Sequence, residues 1–161
     1  MKRSALLLFA LLAFPLAAEP EYPKMGPDIY DVKADGKTQI AAALAKATTA
    51  HKRVLVVFGA NWCVWCHRLH GTFESNAQVA TALRDAFEVV RIDVNARHGV
   101  NRNADVDARY GHPTQEGLPV LVVLDADGKQ LTTQESGALE EGSGHSPAKI
   151  IAFLDKWKPA G

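Results

Sequence analysis

Most of the features that assign a chain quickly are scarce here. Two cysteines in 161 residues are too few for the dense disulfide framework of a small secreted scaffold, and a single pair allows one intramolecular bridge. Charge of one sign is also missing. Lys and Arg together number 18, as do Asp and Glu, so neither a polybasic nucleic-acid surface nor an acidic tail is implied. Beyond residue 18 no apolar run approaches the ~20 residues that cross a bilayer, and there is no internal repeat or low-complexity tract. With 47% apolar and 22% charged side chains, what remains has the makeup of a globular domain of ordinary size.

The first segment stands apart. Lys2 and Arg3 precede an apolar stretch from Leu6 to Phe14, and Leu16-Ala17-Ala18 supplies small residues before Glu19-Pro20. This pattern predicts a signal peptide over 1–18 and hence a periplasmic or otherwise exported protein, with an uncleaved anchor as the alternative. Residues 19–36, broken by Pro20, Pro23, Gly26 and Pro27, read as a flexible lead-in with at most a short strand over Ile29–Val32. The folded domain is expected over 37–161.

Within it, Ile40, Ala43, Leu44 and Ala47 have helical spacing behind a Thr38 cap. Val54–Phe58 and Val120–Leu124 are continuous apolar runs of the kind that form strands buried on both faces, and Val89–Val94 is a third strand. Cys66–Leu83 is helical in character, with a break at Gly71 or Ser75-Asn76 and a second piece, capped by Ser75, running to Phe87. Val106, Ala108 and Tyr110 predict a short helix. Asp125-Ala126-Asp127-Gly128-Lys129 is a hairpin turn returning through Gln130–Thr133. Leu139–Gly144 reads as a loop, and Ser146-Pro147 starts a final helix whose apolar positions Ile150, Ile151, Phe153, Leu154 and Trp157 give it one buried face. Strands and helices that alternate and then close on a hairpin imply an α/β fold, a central mixed β-sheet with helices on both faces.

The cysteines fall at the most informative place in that order. Cys63-Val64-Trp65-Cys66 lies between a buried strand and a helix, where unpaired backbone N–H groups and the positive end of the helix dipole stabilise a thiolate. A second thiol three residues on can attack a mixed disulfide formed at the first.

Phe58-Gly59-Ala60-Asn61-Trp62-Cys63-Val64-Trp65-Cys66, followed later by Gly117-Leu118-Pro119 and an apolar strand, resembles the thioredoxin superfamily. In motif it is similar to periplasmic thioredoxin-like disulfide reductase domains. The resemblance implies a thioredoxin-like fold and a thiol–disulfide oxidoreductase, leaning to reductase or isomerase. Cys63 is then the exposed nucleophile and Cys66 the more buried resolving thiol. Pro119, with a cis peptide bond, shapes with Leu118 a groove for an extended partner backbone, rimmed by Trp62 and Trp65. Independently of the resemblance, His67 beside the helix start is a candidate modulator that favours the thiolate when protonated, with a solvated surface imidazole as the alternative. The partners that the resemblance implies are protein thiols and disulfides and an external redox partner such as a membrane disulfide reductase, with no cofactor, no nucleic acid and a monomeric chain. Two departures stand out. Val57 occupies the place of the family's buried acid, and the connection from Asn95 to Gly117 is longer than in a minimal thioredoxin, extending a surface beside Pro119.

Other readings compete. Cys63, Cys66 and His67 complete the c-type haem attachment signature, but the flanking buried strands disagree with a small helical haem domain. Cys63, Cys66, His67 and His70 are the donor types of a tetrahedral zinc site, although neighbours on a helix converge poorly; Cys66 and His70 could pair on copper. A structural disulfide without turnover, and a peptide-binding or chaperone-like module using Trp62, Trp65, Leu118 and Pro119, complete the alternatives. Glu74 and His70 form an i, i+4 pair, and Tyr110, His112 and Glu116 are further residues that could face the cysteines from the loop before Pro119.

Overall fold

The computed structural model describes residues 25–95, 97 and 99–160; the segment read as a signal peptide lies outside them. The elements run α1 (Gly36–Ala50), β1 (Arg53–Gly59), α2 (Val64–Ser75), α3 (Ala77–Ala86), β2 (Phe87–Asp93), α4 (Ala104–Arg109), a 3-10 turn (Pro113–Glu116), β3 (Val120–Leu124), β4 (Gln130–Gln134), β5 (Glu140–Glu141), β6 (Gly144–His145) and α5 (Pro147–Trp157).

The central sheet has the order β2-β1-β3-β4. Strand β1 pairs parallel with β2, Val56 opposite Val90, and antiparallel with β3, Val56 opposite Val122. Because side chains alternate along a strand, the continuous apolar runs divide between two cores. Val54, Val56 and Phe58 join Ile92, Val122 and Leu124 beneath Ile40, Ala43 and Ala47 of α1. Leu55, Val57, Leu121 and Val123 meet Leu69 and Phe73 of α2, Val79 and Leu83 of α3, and Ile150, Phe153 and Leu154 of α5. The chain is therefore the expected mixed sheet with helices on both faces.

Several boundaries differ from the sequence reading, each for a local reason. Helix α1 is capped by Asp35, whose carboxylate accepts from the Thr38 N–H and from its hydroxyl, so Thr38 lies inside the helix. The helical segment after the cysteines runs through Gly71 and breaks at Asn76, whose side chain accepts from the N–H groups of Gln78 and Val79 at 3.1 Å. Asn76, rather than Ser75, is the cap, and Phe87 opens β2. Leu139–Gly144 contributes a two-stranded hairpin, β5 with β6, folded over the buried Leu139. No strand forms over Ile29–Val32. This stretch of the lead-in is nevertheless packed, because Tyr30 is only 4% exposed.

Candidate functional site

Strand β1 ends at Gly59 and the chain turns at Ala60, whose carbonyl accepts from the Cys63 N–H at 3.0 Å. Cys63 is thereby placed as the cap of α2. Its backbone is extended, and its Sγ accepts from the N–H of Cys66 at 3.1 Å, an interaction with one of the donors that a helix start leaves unpaired. Cys63 and Cys66 form a disulfide with a Cα–Cα separation of 5.2 Å.

The two sulfurs meet different surroundings. Both residues are buried, Cys63 at 5% and Cys66 at 2% exposure, so Cys63 is less exposed than the sequence reading supposes. Cys63 nonetheless lines an open cleft of about 400 Å³, walled by Trp62, Val64, Trp65, Arg97, Thr114, Gln115, Gly117 and Leu118. Cys66 faces inward, into a closed space bordered by Tyr30, Val57, Leu69, His70, Phe73 and Arg91.

On the cleft side the indoles are held from behind. Trp62 Nε1–H donates to Asn95 Oδ1 at 2.8 Å, and the Arg97 guanidinium stacks 3.9 Å from the Trp62 ring centre. Trp65 meets the edge of His145, with centroids 5.7 Å apart, and carries Arg68 at 4.4 Å. Each indole beside Cys63 thus has a cation on its face. The Leu118–Pro119 peptide is cis; Leu118 lines the cleft, whereas Pro119 is buried and does not. The long connection after β2 supplies Arg97, Thr114, Gln115 and Gly117 to the cleft wall. Tyr110, His112 and Glu116 are not part of it. Tyr110 packs against Phe58, His112 Nδ1 lies 3.0 Å from the buried Asp107 carboxylate, and Glu116 is exposed.

His67 Nε2 lies 2.8 Å from the Asn61 carbonyl, an acceptor, so that nitrogen carries the proton. Asn61 is itself a clamp. Its Oδ1 accepts from the N–H groups of Ile29 and Tyr30 at 3.0 and 2.9 Å, and its Nδ2 donates to the Tyr30 carbonyl at 2.9 Å. The loop that presents Cys63 therefore also docks the lead-in.

On the inner side, Arg91 Nη2 donates to His70 Nδ1 at 3.0 Å and lies 3.7 Å from Glu74. Burial, reinforced by the Arg91 charge, holds the His70 pKa below its ordinary value. Glu74 is therefore partnered by Arg91 as well as by His70, at 3.8 Å. Burial likewise pushes the Tyr30 phenol well above its ordinary range. His67 Nε2 is thus engaged by Asn61 and His70 Nδ1 by Arg91, and among the described residues no three His, Cys, Asp or Glu converge as a metal site. The sequence reading missed Tyr30, Asn61, Arg91 and Arg97; a buried-type aromatic within an otherwise polar lead-in was the one signal available for any of them.

Comparison with known proteins agrees with this geometry. Residues 35–126 match a family described as thioredoxin-like. The chain is 25% identical over 126 residues to the disulfide bond reductase DsbH of Chlamydia pneumoniae, covering 74% of this chain and 69% of that protein. The structure of a disulphide isomerase from Xylella fastidiosa superposes with a TM-score of 0.69 at 38% identity, covering 80% of this chain and 95% of that one. The C-terminal domain of Neisseria meningitidis DsbD shares the fold, with a TM-score of 0.55 at 22% identity over 78% of this chain and 97% of that domain. With its paired cysteines at the helix start, one facing an open cleft and the other the interior, the chain belongs to the thioredoxin-like family and carries the dithiol–disulfide pair of a thiol–disulfide oxidoreductase.

Proposed function

We propose that this protein is exported by the segment 1–18 and works as a monomer outside the cytoplasm, reducing or isomerising disulfides of other proteins. The observation that carries the reading is the unequal access of the two sulfurs. Cys63 borders a cleft rimmed by Trp62, Trp65 and Leu118, and Cys66 does not. In the reducing direction the Cys63 thiolate attacks a partner disulfide. One S–S bond forms, the partner's bond breaks, and its first sulfur leaves as thiolate. Cys66 then attacks Cys63, forms the internal disulfide and expels the partner's second sulfur. Two electrons from an external dithiol, supplied in this reading by a membrane disulfide reductase, restore the pair. No cofactor takes part. Leu118, seated above the buried Pro119, and the two indoles hold the partner's backbone near Cys63, and His67 steadies the loop through Asn61.

The test is a Cys66→Ala chain in cell-envelope extract. It should accumulate partners disulfide-linked to Cys63, and Cys63→Ala should abolish insulin-disulfide reduction. Recovery of no linked partner, or undiminished reduction by Cys63→Ala, overturns the reading.

A further inference from the structure

The inward-facing sulfur has neighbours that the exchange cycle above leaves without a role. Val57, in β1 beside Cys66, is apolar and 3% exposed, so no carboxylate from that strand reaches the resolving thiol. What does reach it comes from the lead-in. A Cβ built on Gly59 would overlap the Tyr30 hydroxyl and stand 2.8 Å from Cys66 Sγ, so hydroxyl and sulfur both border the space that the missing side chain of Gly59 leaves. Tyr30 is held there through its backbone by Asn61, which leaves its O–H available.

We propose that Tyr30 is a hydrogen-bond donor to the Cys66 thiolate in the resolving step, with Arg91 supplying the compensating charge. This rests on the thiol–disulfide reading above. When the mixed disulfide is resolved, the Cys66 thiol gives its proton to solvent. Its sulfur electron pair then forms the bond to Cys63 Sγ as the partner sulfur departs. A thiolate withdrawn from water is costly unless donors meet it. Burial keeps the phenol protonated, so it acts as a donor and not as a base.

The charged and titratable groups around the sulfur fit that assignment. Arg91 from β2 borders the same space, and Glu74, 3.7 Å from Arg91, is exposed and is not among the residues lining it. His70 from α2 is engaged by Arg91 at 3.0 Å, and burial together with the Arg91 charge lowers its pKa. Asp93, at the end of β2, is paired with Arg102 at 2.8 Å. His67, from α2, is turned to the Asn61 carbonyl.

The experiment uses the reduced full chain and the chromogenic disulfide 5,5′-dithiobis(2-nitrobenzoate). Cys63 releases one coloured thiolate, and Cys66 then releases the second by resolving the mixed disulfide. In Tyr30→Phe, which keeps the packed ring, the second phase should slow about tenfold at about pH 6, equivalent to a rise of about one unit in the Cys66 pKa. The deficit should vanish at alkaline pH, where Cys66 ionises without help, and the first phase should stay within about twofold. Arg91→Met should shift the same pH profile in the same direction. A second phase unchanged by Tyr30→Phe, or slowed equally at every pH, overturns the role of Tyr30. Loss of both phases in the unsubstituted chain overturns the functional reading itself.

Discussion

The two ends of one disulfide make the instructive comparison. Cys63 borders a cleft whose walls come from the active-site loop, the connection after β2 and the approach to β3. Cys66, three residues on, is enclosed by β1, β2, α2 and the lead-in. The cleft side is aromatic and cationic, with Arg97 and Arg68 laid on Trp62 and Trp65. The closed side is a tight joint of a phenol, a guanidinium and apolar side chains. Helical geometry separates the two sulfurs by less than one turn, yet that step divides a surface able to meet a partner from an interior that encloses one thiol.

The largest effect expected from disturbing this division is Gly59→Ala. The added methyl would collide with the Tyr30 hydroxyl and Cys66 Sγ, and overpacking of this kind costs about 1–3 kcal/mol. A denaturant midpoint that falls accordingly, with an unchanged slope, checks it; an undisturbed midpoint would mean that the closed side is looser than described.

On the cleft side, Trp65→Ala should lower kcat/KM for a protein disulfide by about tenfold, as expected for loss of a buried aromatic anchor. Turnover of a small disulfide such as hydroxyethyl disulfide should change little. Equal losses on both substrates would erase the distinction between a docking wall and the reacting sulfur.

The smallest effect concerns one histidine on each side. His70 borders the closed space, and His145 meets Trp65 beside the cleft. Burial lowers both pKa values, with Arg91 adding to it at His70 and Arg68 at His145. Between those lowered values and the unfolded value of about 6.5 the unfolded chain binds more protons, so stability rises with pH through that window and levels above it. Unfolding midpoints at about pH 5 and 7.5 should show the decline on acidification, and His70→Gln and His145→Gln should each flatten part of it.

How much of this was legible beforehand follows from the range of each interaction. The strands Val54–Phe58 and Val120–Leu124 announced themselves through β-branched runs, the turn at Asp125–Lys129 through its Asp-Gly step, and the cysteine pair through its place between strand and helix. Caps were less secure, because Asp35 and Thr38, or Ser75 and Asn76, are both acceptable N-cap residues, and only the bond formed decides between them. The β5–β6 hairpin is too short to carry a period. Tyr30 was beyond local reading, since its partner Asn61 lies 31 residues away and no periodicity links a proline-rich lead-in to a loop after β1.

The sequence alone therefore determined the architecture and placed the cysteine pair: apolar runs alternating with helices dictate a covered sheet, and two thiols at a helix start have the spacing that exchange requires. Tertiary structure decided which sulfur faces a cleft and what surrounds the other. Those properties depend on Asn61 drawing the lead-in onto the active-site loop and on a glycine leaving room for Tyr30, contacts whose energy comes from segments that become neighbours only when the chain folds.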